Sequence, residues 1–173
     1  YTDSDGAGGL FIFDSASVAA DNGGTVIAPS AGNGRWLRVI DDGINVKYFG
    51  AKGDGITDDA AAIQAASEAA ATGTVYLIGG LTYVIGTTIN LADGLNAHYM
   101  VGLNDDATLK TSAGFSSSAD MVVIGNGASV PNGTGLKNIL FNADQKARRC
   151  LTIVSSNGCL INTTLVILVL LLQ

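Results

Sequence analysis

From residue 75 onward the chain is a succession of short β-like runs with no second helical pattern between them, and this limits its fold more than any other feature. Residues 75–78, 83–85, 88–91, 99–101, 107–109, 121–124, 136–141 and 151–154 are rich in Val, Ile, Leu and Thr, while Gly, Asn, Asp and Ser fill the gaps. Short strands that recur without helices argue against a doubly wound sheet and leave a sandwich or a coiled solenoid. Two features favour the solenoid. Met121, Leu140 and Cys159–Leu160 head comparable apolar stretches at spacings of roughly 20 residues, a period of the order that solenoid coils use. Residues 135–160 also alternate strands with turns containing Asn or Asn-Gly, as successive coils would. Aromatics make up only 6% of the chain and glycines number 23, a mixture suited to many short strands rather than to a helical bundle.

The first 45 residues predict a small β-rich neck. Residues 10–13 form one strand candidate, residues 25–29 a second that ends at Pro29, and residues 35–40 a third that alternates polar and apolar positions. Turn clusters at 21–24 and 32–34 separate them. Trp36 and Leu37 are expected on opposite faces, with the indole packing rather than serving as a sugar platform. Beyond the neck, a short strand from Val46 runs into an Asp54-Gly55 turn, where positive φ is tolerated. Thr57 or Asp58 then caps a helix over about residues 59–71. Ile63, Ala66 and Ala70 line one side of this helix, Gln64 and Glu68 the other, and Thr72-Gly73 ends it.

Residues 46–66 read VKYFGAKGDGITDDAAAIQAA. This string closely resembles the entry motif of the pectate-lyase-like β-helix superfamily, in which it opens the first coil and its helix caps the end of the solenoid. The stretch upstream, residues 9–39, looks like the segment that precedes the motif in phage tailspikes. The resemblance implies an all-β chain: a right-handed parallel β-helix, represented by its first coils, with an N-terminal capping α-helix and a β-rich neck. The expected division is a neck over 1–45 and the start of the β-helix over 46–173. A helix over the first coil hides its core and blocks edge pairing, so the most recognisable motif is expected to be structural. Two departures stand out: Ile78 occupies the place where the family has proline, and Leu81 stands beside Tyr83. Beyond Asn162 the likeness fails. A truncation, a frame change or an interrupted gene would each account for that.

For function, the resemblance implies a phage or prophage tailspike-like protein that binds and cleaves bacterial surface polysaccharide. It also implies a homotrimer on the virion tail or outside the cell. The alternatives are a non-catalytic structural or receptor-binding β-helix, and a secreted pectin- or glucan-degrading enzyme. Whether the chain is an enzyme stays open, because polysaccharide lyases and glycoside hydrolases of this kind carry their acids further along. Hydrolysis requires two carboxyls on one groove, about 5–10 Å apart. The local acids Asp105, Asp106, Asp120 and Asp144 each read as turn residues rather than acid catalysts. His98 has no Ser or Cys partner, and Lys146, Arg148 and Arg149, which could meet an anionic saccharide, read as a solvated loop. The catalytic residues are therefore unknown.

No cofactor is predicted, and no metal either: Asp54, Asp58 and Asp59 lack the spacing of a calcium loop and are accounted for by turn and cap duties. Fifteen acidic against nine basic residues give a net charge of −6, which disfavours nucleic acid. Cys150 and Cys159 suggest two thiols buried in neighbouring strands, not a disulfide framework. Residues 1–9 do not read as a signal peptide. The apolar run at 165–172 is far short of the about 20 residues a membrane helix needs, so no membrane insertion is expected. Its exposure would instead favour self-association.

Overall fold

The structure, a computed structural model, describes residues 7–70, 73–91, 99–125 and 134–154. The neck is a three-stranded antiparallel sheet of β1 (Phe11–Asp14), β2 (Val26–Ile27) and β3 (Arg35–Arg38), in the order β1-β3-β2. Alternation does what the sequence predicts. Trp36 lies opposite Phe13, with ring centroids 4.9 Å apart, and Leu37 lies opposite Ile12 on the other face.

The rest is a stack of coils. β4 (Ile44–Asn45), a 3₁₀ turn (Val46–Phe49), β5 (Asp54–Asp58) and helix α1 (Ala60–Ala70) make the entry; the strand expected from Val46 is instead this 3₁₀ turn, which the Asn45 side chain starts by accepting from Lys47 N–H. Three coils follow: β6 (Thr74–Ile78), β7 (Thr82–Ile85) and β8 (Ile89–Leu91); β9 (Tyr99–Leu103), β10 (Ala107–Thr111) and β11 (Asp120–Ile124); β12 (Gly135–Lys137), β13 (Ile139–Asn142) and β14 (Arg149–Ile153). Every pairing within the stack is parallel, giving sheets β4-β6-β9-β12, β5-β7-β10-β13 and β8-β11-β14. This is the parallel β-helix that the resemblance implied. Ile44 pairs with Val75 and Asn45 with Tyr76, so the ladder already holds these two residues, which lie on the neck side of the division expected at 45.

The register corrects the expected period. Side-chain bonds between adjacent coils join residues 28 to 36 apart, well above 20. Met121 lies in β11 and Leu140 in β13, strands of different sheets, so their spacing is not a repeat. Spacing between apolar runs counts the sides of a coil, whereas the repeat counts whole turns. The run at 136–141 also splits. Asn138 adopts φ 55° and turns the chain from one sheet to the next.

Inside, like stacks on like. Ile44, Val75, Met100 and Leu136 form one column, Tyr83, Leu109 and Phe141 a second, and Ile89 with Val122 a third, all buried. Full burial of each such side chain is worth about 1.5–3 kcal/mol. At the corner between the first two sheets a Cβ on Gly102 would clash with the Asn138 carbonyl oxygen of the next coil and sit 2.6 Å from the Asp105 carbonyl oxygen of its own, which only glycine avoids. The departure at Ile78 also has a use. Its N–H donates to the buried Tyr83 hydroxyl at 2.9 Å, a bond proline could not make, and burial pushes that phenol up to about 12.

Leu109→Ala, at the centre of the Tyr83–Phe141 column, is expected to cost about 2–5 kcal/mol. Thr108→Ala beside it, on the outward side, should stay within about 0.5 kcal/mol. Urea unfolding monitored by circular dichroism separates the two.

Candidate functional site

The entry motif places its acids on the backbone. Asp54 closes a local turn: its carboxylate accepts from the N–H groups of Ile56 and Thr57 and from the Thr57 hydroxyl, at 2.7–2.9 Å, and these bonds bring it down to about 2. Gly55 follows with φ 76°, as Asp-Gly predicts, although the segment is a bulged strand rather than a free turn. Asp58 accepts from Ala60 N–H at 3.0 Å, which caps α1, and from Gly86 N–H at 2.9 Å, which ties the cap to the first full coil. Asp59 is buried and accepts from the N–H groups of Lys52 and Gly53 at 2.6 and 3.0 Å. Desolvation raises its pKa against those two bonds. Buried Lys47 donates its Nζ to the Lys52 carbonyl at 2.6 Å. Three neighbouring aspartates thus point to three different backbone targets. Among the described residues no group of three or more His, Cys, Asp or Glu side chains is placed to hold a metal.

Helix α1 buries Ile63 and Ala66 as its pattern predicts, with Ala70 packed at the edge of the core. Gln64, expected on the outer side, has a specific task. Its amide oxygen accepts from Asn90 N–H at 2.9 Å and its amide nitrogen donates to Asn90 C=O at 3.2 Å. A side-chain amide thereby stands where a strand preceding β8 would pair. Nothing in the sequence flags this, because residues 64 and 90 meet only once the coil is wound.

Further along, polar residues gather between the second and third sheets, on the connections 112–119 and 143–148. Asp120 is the residue that sequence reasoning misplaced. It is the first residue of β11, not a turn residue, and is 4% exposed. Arg148 of the next coil grips its carboxylate from Nε and Nη2 at 2.8 and 2.7 Å, and the Thr152 hydroxyl donates at 2.6 Å. On the other side the Thr88 hydroxyl donates to the Asp120 carbonyl at 2.7 Å, so one residue links three coils. The Arg148 and Thr152 bonds outweigh desolvation and hold the carboxyl at about 2. An acid so held is ionised at neutral pH and already engaged, which suits a staple and not a proton donor.

The other candidates disperse. Asp105 and Asp106 lie at the corner between β9 and β10, where Gly80 N–H donates to the Asp106 carbonyl at 2.8 Å. Asp144, with φ 45°, stands in the loop after β13 and is paired with Lys146, whose bond lowers its pKa. The charges of Lys110 on Asp144 and of Arg149 on Asp120 also act at this ledge. Lys110 and Lys146 thus lie near Asp144, and Arg148 and Arg149 near Asp120. Arg148 is half-exposed while it holds Asp120. Cys150 is half-buried and free, and burial raises its thiol pKa. His98, Cys159 and the run at 165–172 lie outside the described residues.

Asp120 has a folded pKa below its ordinary 3.8, so it adds stability above about pH 4 that is lost as pH falls toward 2. Asp120→Asn should cost about 1–2 kcal/mol at pH 7, a range that allows for solvent around Arg148. The difference from wild type should vanish near pH 2. A gap independent of pH in thermal melts would contradict this assignment.

Comparison with known proteins adds two profile matches. Residues 1–41 match the family described as phage tail protein small four-stranded beta-sheet domain, and residues 43–164 match that described as rhamnogalacturonase A/epimerase, pectate lyase-like. Among solved structures, Pantoea stewartii WceF, described as a glycan biofilm modifying enzyme with a bacteriophage tailspike-like parallel β-helix fold, superposes with TM-score 0.65 at 20% identity. That match covers 90% of this chain and 24% of WceF. Tailspike protein 2 of an Escherichia coli bacteriophage gives TM-score 0.56 at 23% identity, over 79% of this chain and 19% of that protein. The tailspike of Acinetobacter baumannii phage AM24 gives 0.54 at 19% identity, over 84% and 29%. At such identities the likeness is one of fold, and the chain spans between about a fifth and under a third of these proteins' length.

Proposed function

The chain belongs to the rhamnogalacturonase A/epimerase, pectate lyase-like family, and on that premise we propose that it forms the neck and first coils of a phage tailspike that binds and cleaves bacterial surface polysaccharide. The observation that carries this reading is the order of the two modules. A sheet matching a phage tail domain runs, at residues 41–43, straight into the first rung of a pectate-lyase-like solenoid. Arg38 fastens the two, with its guanidinium 4.5 Å from the Phe11 ring on the neck and 3.9 Å from the Tyr48 ring on the entry turn. The phage-tail match over residues 1–41 favours this reading over a secreted pectin- or glucan-degrading enzyme.

Within that protein this segment is a scaffold. Among its candidate acids, Asp120 is held by Arg148, Asp144 is paired with Lys146, and Asp105 accepts from the Asp106 N–H. The reading includes a homotrimer at the virion tail, with the division into neck and coils near residue 45. Lys110 and Lys146 near Asp144, with Arg148 and Arg149 near Asp120, favour an anionic saccharide.

The test is to express the whole reading frame that contains these residues and incubate it with surface polysaccharide from the host bacterium. Shortening of the polymer, read by size-exclusion chromatography and by new reducing or unsaturated ends, is the expected result. Binding without shortening would instead support a receptor-binding β-helix, and neither binding nor shortening would defeat the proposal. Replacing Lys110 and Lys146 together with glutamine should weaken binding of an anionic polymer several-fold, with the loss shrinking in high salt.

A further inference from the structure

Two Asn-Gly pairs lie among the described residues, Asn22-Gly23 and Asn33-Gly34, and both asparagines are exposed. Three more, at 126–127, 132–133 and 157–158, lie outside them. An asparagine followed by glycine is open to attack by the next backbone nitrogen, because glycine has no side chain to hinder the approach. The reaction needs a free carboxamide and a free N–H on the following residue. The two sites differ in both.

At Asn22 each reacting group is engaged. Its Oδ1 accepts from the N–H groups of Gly24, Thr25 and Val26 at 3.1, 2.9 and 3.0 Å, and its Nδ2 donates to the Thr25 hydroxyl at 2.8 Å. The Gly23 N–H, which would be the nucleophile, donates to the Asp21 carboxylate at 2.8 Å. Asn33 has no such restraint. Among the described residues neither its carboxamide nor the Gly34 N–H has a hydrogen-bond partner. Gly34 is tied only through its carbonyl, which accepts from Arg35 Nη1 at 2.7 Å.

We propose that Asn33 is a site of spontaneous deamidation in the folded protein, and that Asn22, with the same following residue, is protected. The Gly34 nitrogen attacks Asn33 Cγ and gives up its proton. A bond from Cγ to that nitrogen forms, the Cγ–Nδ2 bond breaks, and Nδ2 leaves as ammonia. Water then opens the succinimide at either carbonyl, giving aspartate or an isoaspartate whose main chain runs through Cγ.

The position gives the product structural weight. Gly34 has φ 95° and sits so close to β1 that a Cβ on it would lie 2.7 Å from the Asp14 carbonyl oxygen and 2.7 Å from the Phe13 ring. Isoaspartate inserts one more main-chain carbon immediately before this seat. β3, the central strand of the neck sheet, begins at the next residue, where Arg35 pairs with Asp14. Ageing at residue 33 therefore acts on the end of the β1–β3 ladder.

The test ages the whole protein in mildly alkaline buffer, folded and in urea, and follows both asparagines by peptide mass spectrometry, with isoaspartate identified by fragmentation. In the folded protein Asn33 should convert at least about tenfold faster than Asn22, because Asn22 must first break its hydrogen bonds. In urea the two rates should come within about threefold of each other, since glycine follows both and the fold no longer separates them. Comparable rates in the folded protein, or an Asn33 that does not convert, would overturn the proposal. A tenfold preference that persists in urea would overturn it as well, because the cause would then lie in the neighbouring sequence and not in the hydrogen bonds of the neck.

Discussion

Each strand of the stack needs backbone partners above and below, and a parallel ladder supplies them only between whole coils. The first coil is therefore the critical one, since it has a neighbour on one side alone. Most of what is distinctive in residues 44–90 follows from that need. β4 and β5 provide partial rungs beneath β6 and β7, whereas among the described residues the third sheet has no strand below β8. Helix α1 fills that place. Its alanines let it lie close over the core, and the Gln64 amide supplies one donor and one acceptor at the spacing of a strand. Asp58 then joins the helix start to Gly86, so cap and coil are held by the same carboxylate.

The acidic character of the chain takes on a structural meaning in this light. Asp54, Asp58, Asp59 and Asp120 all lie where backbone N–H groups or an arginine would otherwise lack a partner. The Thr88–Asp120–Arg148 column does between coils what Asp58 does at the entry. It also ties the connection at 143–148 to the preceding coil.

Much of the fold was legible because it depends on local rules. Alternation at 35–38 predicted which face Trp36 and Leu37 would take. Asp-Gly at 54–55 predicted a left-handed residue, and the alanine-rich run predicted α1 to within a residue or so at each end. What failed had a common cause. The run at 136–141 looked like one strand because a corner can be turned by a single Asn138, and the apparent period was too short because spacing along the chain counts sides rather than turns. Asp120 looked like a turn residue because its partners, Arg148 and Thr152, are 28 and 32 residues away.

The sequence by itself determined most of the strands, the inward-facing apolar positions and the capping motif, because these follow from side-chain periodicity and from the few residues able to take positive φ. Only the tertiary structure decided which polar groups meet. Coil length varies with each connection, so the register that brings Gln64 to Asn90, Arg148 to Asp120 and Arg38 to Tyr48 is set by the stacking of buried side chains. No sequence spacing encodes it. The same holds for the closed edge of β2, which is made when the loop at Asp21 and Asn22 folds back on it.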